Sequence, residues 1–452
     1  MRIASLNPFR GLPNAREVWA WGMYDLANQS FTLLINTLLF AVYFKQVVAG
    51  AGRGDAIWGA VAGGSLLVAA ILSPIIGAAA DHLGNKKLWL VSLGLICALG
   101  TMALGLVPAG MMWVIVVVYV VSNVAFALGE NFLASFLPEI APAEQLGRVS
   151  AIGWTMGYLG ALLLLAINGA AMSVLHLADA SQWRPLFVFA GGWFLVMAIP
   201  TVLYLRERTT RPKRISGVVR ASVARMADTV RQAARYRDLL RFLGVFFVFS
   251  MGVMAIIFFA GIIAEGFGWR GARLAWFLLP VTVAGGFGAV ATPRLQRTIG
   301  YRSTVHLFLF VWALTAVGLL GLHLYQGANP SRGGWLLWPI GVLIGVALGG
   351  IGTSGRAMVG VLTPAHKTAE VFGLWGLAFK LAGVVGVSAF GAIRQWNEAV
   401  SYGVLAGVFV VGAVMLLGVR EREGIEAARK ATREHLGEIE PEDIAAARAA
   451  GI

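Results

Sequence analysis

The stretch WAWGMYDLANQSFTLLINTLLFAVY, residues 19–43, decides the fold class of this chain. It stays largely apolar for longer than the about 20 residues that a helix needs to cross the hydrocarbon core of a bilayer. Further runs of this kind follow it, and none shows the alternation of apolar and polar residues that marks an outer-membrane barrel. The sequence therefore predicts an all-α membrane protein with twelve transmembrane helices.

The composition agrees with a place in a membrane. Of the 452 residues, 58% are hydrophobic and only 13% are charged, whereas soluble domains have about a quarter of their residues charged. The single cysteine, Cys97, lies in an apolar run, which excludes a disulfide framework and a cysteine-rich metal site. We expect no cofactor and no bound metal.

Six apolar spans precede a long charged segment and six follow it. We place the spans at 19–43, 56–80, 88–107, 112–137, 149–174, 185–205, 240–264, 272–292, 303–324, 335–354, 370–392 and 400–419. This predicts four parts, which are an N-terminal six-helix bundle at 1–205, a basic cytoplasmic linker at 206–239, a C-terminal six-helix bundle at 240–419 and a charged cytoplasmic tail at 420–452.

The linker and the tail are the parts that look soluble. In the linker, Val219, Val223, Met226 and Val230 recur at helical spacing among arginines. This pattern predicts a basic amphipathic helix on the anionic inner leaflet, or a solvated helical tether. For the tail we expect one or two short helices.

The distribution of lysine and arginine near the span ends favours both termini in the cytoplasm. Most of the 36 basic residues then lie inside, Lys45 and Arg394 are among the few outside, and Lys380 lies within a span. The net charge of +14 therefore reflects topology, and we expect no nucleic-acid partner. We expect a multi-pass protein of the cell (inner) membrane that acts as a monomer.

Five polar residues share one face of the first span. They are Asp25, Asn28, Gln29, Thr32 and Asn36. Such a stripe is costly against lipid, so we expect it to line water or a substrate path. The alternative is that it only forms hydrogen bonds to neighbouring helices.

The fourth span carries Asn123, Glu130 and Asn131, with Asn123 and Glu130 on one face. Counted from the cytoplasmic border at 1.5 Å per residue, Asp25 and Glu130 both lie roughly 9–12 Å deep. Two carboxylates at one level of a low-dielectric cavity resist being ionised together, which makes them candidates for proton coupling. Alternatively, one of them is the fixed counter-ion of Lys380 or Arg148.

Lys380 is the only basic group well inside a span. It can pair with Asp25 or Glu130, hold the carboxylate of a substrate, or extend toward the membrane interface. Arg356 ends the tenth span, where a gate pair with Glu370 or Glu139 is an option.

The loop after the second span, GAAADHLGNKK at residues 77–87, resembles the signature loop of the major facilitator superfamily. In that loop the aspartate docks on helix 11 and latches the outward-open state. The matching residues are Gly77, Ala80, Asp81, Gly84 and Lys86, and the departures are Ala79, His82 and Asn85. The resemblance implies a gating loop here, facing a helix 11 that should begin at Thr368 with Glu370 in its first turn.

Three longer strings resemble the branch of the fungal vacuolar amino-acid effluxers and their bacterial relatives. They are WGMYDLANQSF at 21–31, GRVSAIGWTMGYLG at 147–160, and Pro364 with EVFGL at 370–374 and Lys380. The resemblance implies a twelve-helix facilitator whose helices 1, 4, 7 and 10 line a central cavity. Asp25, Trp154, Tyr158 and Lys380 match positions of the family pattern.

These features favour a secondary transporter that works by alternating access and is not an enzyme. The chain has no GxxxxGK[ST] motif, which leaves gradient coupling, for instance to protons, or facilitated diffusion. By resemblance the solute is an amino acid or related metabolite that moves outward. The aromatic and methionine residues of the seventh span leave export of amphipathic compounds, lipids or drugs as an alternative. A receptor or enzyme is a minor alternative, because the six histidines are scattered.

Overall fold

The computed structural model describes residues 9–50, 52–83, 85–142, 145–208, 236–327, 329 and 332–437. Within these ranges twelve helices are long and apolar enough to cross a membrane, which confirms the predicted all-α architecture. They are α1 Ala15–Val48, α2 Gly54–Leu83, α3 Lys86–Leu106, α4 Met112–Ser135, α5 Leu146–Val174, α6 Arg184–Tyr204, α7 Arg237–Gly266, α8 Ala272–Ile299, α9 Tyr301–Gln326, α10 Leu337–Leu362, α11 Thr368–Trp396 and α12 Glu398–Leu416. Helix α11 begins at the residue predicted, with Glu370 in its first turn.

Helix α1 changes its winding along its length. It is α-helical over Ala15–Gln29, π-helical over Ser30–Leu38, α-helical again over Leu39–Tyr43 and π-helical over Phe44–Val48. A π-helix closes its hydrogen bonds one residue further along the chain than an α-helix, so each residue advances by less than about 100° of rotation. Side chains beyond Gln29 therefore leave the face that a continuous α-helix would give them.

Helices α3, α6, α9 and α12 form the outside of the molecule. Helix α3 packs on α4 and α6, and α9 packs on α10 and α12. Their free faces expose large apolar side chains, among them Leu99, Val196, Phe310 and Val410. Such continuous apolar surface fits contact with acyl chains. Helices α3 and α6 have 21 residues each and α12 has 19, whereas α2 and α7 have 30.

The two six-helix halves meet where α2 packs on α11 and α5 packs on α8. We call the side on which α1 begins and α12 ends the termini side, and the other side the opposite end. Near the opposite end, α2 and α11 touch through glycine. A Cβ on Gly59 would lie 2.8 Å from the carbonyl oxygen of Val387 and 3.0 Å from the Cα of Gly391. The Oγ of Ser388 also donates to the Gly59 carbonyl at 3.3 Å.

The same two helices separate toward the termini side. A Cβ built on Gly77 of α2, or on Gly373 or Gly376 of α11, would meet nothing within 4 Å. The side chain of Asn131 on α4 is exposed there, and Trp154 on α5 is 57% exposed. The halves therefore enclose an open space, which we call the vestibule, that faces the termini side.

A further helix, α13 (Glu421–Gly437), packs against the second half on the termini side. The Glu421 carboxylate accepts from the backbone N–H groups of Tyr301 and Arg302, at 3.2 and 2.8 Å, and so caps the start of α9. This helix agrees with the expectation for the first part of the tail. The rest of the tail and the predicted linker helix at 219–230 lie outside the described residues.

We predict that Gly59→Ala destabilises the protein and that Gly64→Ala on the same helix does not. An added Cβ at position 59 meets backbone atoms of α11, and overpacking of this kind costs about 1–3 kcal/mol. A Cβ at position 64 meets nothing within 4 Å, and alanine favours helix by about 1 kcal/mol over glycine. Thermal unfolding in detergent measures both effects. Equal melting temperatures for the two variants would contradict the close contact.

Candidate functional site

The first polar group of the vestibule lies where α1 meets α4 and α5. The Nδ2 of Asn28 donates to Oε1 of Glu130, which joins α1 to α4. The half-buried Asp25 lies against α5, because a Cβ on Gly153 would be 2.8 Å from its Oδ2. The Trp21 indole donates to the Leu133 carbonyl at 2.7 Å and fixes the register of the two helices. The structure thus brings together the two carboxyls that the sequence selected.

Neither carboxyl has an ion-pair partner within the described part of the chain. The ion pairs found there include neither Asp25 nor Glu130. A fixed ion pair with Arg148 does not form, since its Nη2 donates to the carbonyl of Arg10 at 2.8 Å. Both carboxyls are therefore available to a proton or to a solute.

Lys380 connects the two halves across the vestibule. Its Nζ donates to Oδ1 of Asn131 at 2.9 Å, and the Nδ2 of Asn131 donates to Oγ of Ser73 at 2.6 Å. This chain links α11 to α4 and then to α2. Lys380 is half-buried and does not extend to the interface. Its pairing with Asp25 or Glu130, one of the options from sequence, is not formed in this conformation.

Asn36 and Asn123 do not face the vestibule in this conformation. They are 3% and 1% exposed, and the Nδ2 of Asn36 donates to Oδ1 of Asn123 at 2.9 Å. Tyr119 donates to Asn36 at 2.9 Å, and Asn123 donates to Ser65 at 2.6 Å. The π-helical turns between Gln29 and Asn36 rotate the end of the polar stripe into this contact. These two residues therefore form hydrogen bonds between helices, which was the alternative from sequence, and do not line the cavity as expected.

The remaining stripe residues stay near the first turns of that π-helical segment. Gln29 is half-buried, with Nε2 at 3.5 Å from Oδ1 of Asn28. Thr32 is half-buried and donates back to the carbonyl of Asn28 at 3.4 Å. Both side chains lie beside the Asn28–Glu130 hydrogen bond and leave further polar atoms near it.

The two aromatic residues of the family pattern lie on α5 at the border with the second half. The rings of Trp154 and Tyr158 are 6.4 Å apart. A Cβ on Gly285 of α8 would lie 3.5 Å from the Tyr158 hydroxyl. Trp154 also contacts the second half, because the guanidinium carbon of Arg356 lies 5.6 Å from its ring centroid.

Arg356 does not form the gate pair that the sequence allowed. Its other neighbour is Trp375, whose ring centroid lies 5.5 Å from the guanidinium carbon. Glu139 instead accepts from Nζ of Lys86 at 3.2 Å, and Glu370 pairs with Lys367 at 3.5 Å. Stacking on indole replaces a carboxylate partner for this arginine.

The predicted gating loop is only partly described. Gly84 and the side chain of Asp81 lie outside the described part, so the docking of Asp81 on α11 stays a prediction. The backbone N–H groups of Lys86 and Lys87 donate to Glu207 at 2.8 and 3.1 Å, which caps the start of α3.

At the opposite end lies a charged cluster that sequence reasoning missed. The Nζ of Lys45 lies 3.5 Å from Asp55 and 3.2 Å from Glu265. Arg394, whose side chain is 1% exposed, lies 3.4 Å from Asp55 and 2.6 Å from Glu398. We call these five residues the outer cluster. The sequence does show charges of both signs at the ends of spans 1, 2, 7, 11 and 12. Which of these charges come into contact depends on the tertiary arrangement, which the sequence pattern does not give.

The outer cluster closes the vestibule away from the termini side. Lys45 and Asp55 belong to the first half, and Glu265 and Arg394 to the second. Buried charges need partners, because removing one member of a buried pair costs about 3–5 kcal/mol. The cluster therefore holds the halves together at this end.

This architecture assigns the chain to a class by its fold, which is the twelve-helix fold of solved membrane transporters. A point mutant of the nucleoside transporter NupG superposes with a TM-score of 0.70 at 13% identity, over 89% of this chain and 99% of that chain. A D-xylose-proton symporter gives a TM-score of 0.69 at 14% identity, over 91% and 98%. At these identities the likeness shows the fold alone.

The family follows from the sequence. The family model described as vacuole effluxer Atg22 like matches residues 55–429, and the chain belongs to that family. The uncharacterized MFS-type transporter YxiO of Bacillus subtilis (strain 168) is 23% identical over 91% of this chain and 96% of its own length. Autophagy-related protein 22-1 of Aspergillus niger is 28% identical over 60% of this chain and 45% of its own length. The predicted branch is thereby confirmed, and these relatives support a transporter and not an enzyme.

We predict that Arg394→Gln opens the opposite end. The variant leaves Asp55 and Glu398 without their shared cation, so the closed arrangement loses stability. A reporter thiol at Ser388→Cys, in the α2–α11 contact, should then react faster with a maleimide. The native Cys97 is fully buried and adds little background.

Arg53→Gln is the matched control, because Arg53 lies at the same end, is exposed and belongs to none of the ion pairs found in the described ranges. An unchanged labelling rate in Arg394→Gln would show that the outer cluster does not hold this end closed.

Proposed function

We propose that this chain is a secondary active transporter that moves a small solute, an amino acid or related metabolite, out of the cytoplasm by alternating access. The N-terminal half (1–205) and the C-terminal half (240–419) would rock against each other around a site near the bilayer midplane. In a cell (inner) membrane with both termini in the cytoplasm, the vestibule faces the cytoplasm. The conformation in the structure is then the one that loads a solute for export.

The observation that carries this proposal is the set of polar groups that the two halves present to one vestibule. The first half contributes the acceptors Asp25 and Glu130, and the second contributes the donor Lys380, which donates to Asn131. Groups of opposite charge on opposite walls suit a solute that carries both an ammonium and a carboxylate. The family description, vacuole effluxer Atg22 like, supports efflux as the direction of transport.

Proton coupling would use the same groups. Glu130 accepts a hydrogen bond from Asn28, and the next residue of α4, Asn131, accepts one from Lys380. A proton on Glu130 removes a negative charge from the first half and weakens its attraction for Lys380 on α11. Because Lys380 already bridges the halves through Asn131, such a change alters the contact that must break during rocking.

The alternative of an amphipathic substrate has less support. Phe246, Phe249, Met254, Phe258 and Phe259 of α7 are all buried, at 6% exposure or less. Phe246 packs on Trp375, and Phe259 packs on Phe390, within the second half. The aromatic surface that favoured amphipathic compounds is therefore mainly core.

We predict that purified protein in proteoliposomes exchanges labelled amino acids. Vesicles loaded with an unlabelled amino acid should accumulate the labelled form by counterflow. Each unlabelled molecule that leaves the vesicle carries the binding site to the outside, where it can take up a labelled molecule. Empty vesicles and vesicles without protein are the controls. Saturable binding without counterflow would favour a receptor, and counterflow confined to amphipathic compounds would favour the alternative substrate class.

We predict that Asp25→Asn and Glu130→Gln each abolish accumulation driven by an imposed pH gradient. The substitutions keep the side-chain shape and remove the titratable group, so exchange without a gradient should fall less than gradient-driven uptake. Glu434→Gln on α13 is the control, because this carboxylate is exposed and lies outside the vestibule. If neither vestibule variant changes transport or its pH dependence, these residues are not the proton sites.

A further inference from the structure

Arg356 is a cation of the vestibule whose neighbours are rings and not carboxylates. Its side chain is exposed, and none of the ion pairs within the described residues includes it. The guanidinium carbon lies 5.6 Å from the ring centroid of Trp154 in the first half and 5.5 Å from that of Trp375 in the second. An indole ring attracts the charge of a guanidinium through its π face and accepts no hydrogen bond in its plane, so the N–H donors of Arg356 can serve a further partner.

A second unused donor lies in the same place. The indole Nε1 of Trp375 is buried and finds no acceptor in the described structure. A buried donor without a partner is costly, and native structures leave few of them. Arg356 and Trp375 therefore offer N–H groups only, which suits an anion and excludes a cation.

The three side chains share one level, closer to the vestibule mouth than Asp25 and Lys380. Measured along their own helices at about 1.5 Å per residue, Arg356, Trp375 and Trp154 lie roughly 9–12 Å from the termini-side helix ends. On the same scale Asp25 lies about 15 Å and Lys380 about 18 Å from those ends. A solute that enters from the termini side therefore reaches Arg356 before Asp25 and Lys380.

We propose that Arg356, Trp154 and Trp375 form a carboxylate-binding subsite at the mouth of the vestibule. A planar carboxylate fits the N–H edge of one guanidinium in a bidentate manner. The neighbouring indole rings of Trp154 and Trp375 accept an apolar body next to the carboxylate. The proposal rests on the proposed function in one respect, which is that the vestibule is the path of the solute.

This subsite also gives the solute a direction. With its carboxylate on Arg356, a zwitterion can point its donor-bearing part inward to Asp25 and Glu130. Because Trp154 belongs to the first half and Arg356 to the second, the bound carboxylate contacts both moving bodies. Specificity for a carboxylate then comes from Arg356, and coupling comes from Asp25 and Glu130.

The test compares three probes of one shape, sodium benzoate, benzamide and benzylamine hydrochloride, by thermal-shift titration of the purified full-length protein. We expect benzoate to stabilise the wild type at lower concentration than either of the others. Arg356→Gln should weaken benzoate binding by about tenfold or more, because a charge-assisted bidentate contact is lost. Arg356→Lys should keep part of the benzoate affinity, because it retains the positive charge but lacks the paired N–H donors of the guanidinium.

Two further variants separate binding from folding. Trp375→Phe keeps a ring and removes the N–H group, so it should weaken benzoate binding while leaving the unliganded melting temperature nearly unchanged. Arg332→Gln is the control, because Arg332 also lies over a ring, with its guanidinium carbon 4.6 Å from the Tyr325 centroid, but is outside the vestibule. It should bind benzoate like the wild type.

Equal stabilisation by benzoate and benzamide, or benzoate binding that survives Arg356→Gln and Trp375→Phe unchanged, would overturn the subsite. Its failure is distinct from failure of the proposed function. If benzoate binds preferentially but amino acids show no counterflow, the subsite stands and the transport proposal fails. If amino acids show counterflow but benzoate is not preferred, the transport proposal stands and the subsite fails.

Discussion

Acyl chains offer no hydrogen-bond partner, so each polar side chain inside the twelve helices must find one in the protein or in water. This constraint sorts the interior polar groups of the molecule into two kinds. Asn36, Asn123 and Ser65 satisfy one another in a dry contact between helices. Asp25 and Arg356 have no counter-ion among the residues that the structure describes, and they lie where the halves separate, which is where water or a solute supplies the missing partner.

The two ends of the interface between the halves use different chemistry. At the opposite end, close glycine contacts and the buried ion pair of Arg394 with Asp55 hold α2 and α11 together. On the termini side the halves share sparse contacts, such as Lys380 with Asn131 and Arg356 with Trp154. A transporter that must alternate needs both arrangements to be close in free energy, so the strong ionic contacts at one end must be matched by contacts that form at the other when it closes.

Much of the fold could be predicted from the sequence, because apolar runs, helix caps and the positions of acidic residues are local signals. The twelve spans and the start of α11 at Thr368 are examples. The position of Asn36 could not be predicted, because the π-helical turns of α1 break the α-helical periodicity that was used to assign the polar stripe to one face. The contacts of Lys380 and Arg394 with the other half join residues far apart in the chain, and no local pattern specifies such partners. The choice of Asp25 and Glu130 as candidates was possible because both depths could be counted from the same membrane border.

Three of the four outer helices, α3, α6 and α12, are short enough to match the thickness of a bilayer, whereas the fourth, α9, has 26 residues. At about 1.5 Å per residue, the 19–21 residues of α3, α6 and α12 span roughly 29–32 Å, close to the hydrocarbon thickness of about 30 Å. The 30-residue helices α2 and α7 are much longer, yet they are flanked by protein and can project beyond the acyl region. Lipids with longer or shorter acyl chains would therefore be mismatched to the outer helices before the inner ones. The acyl composition of the host membrane then becomes a determinant of how freely the halves move.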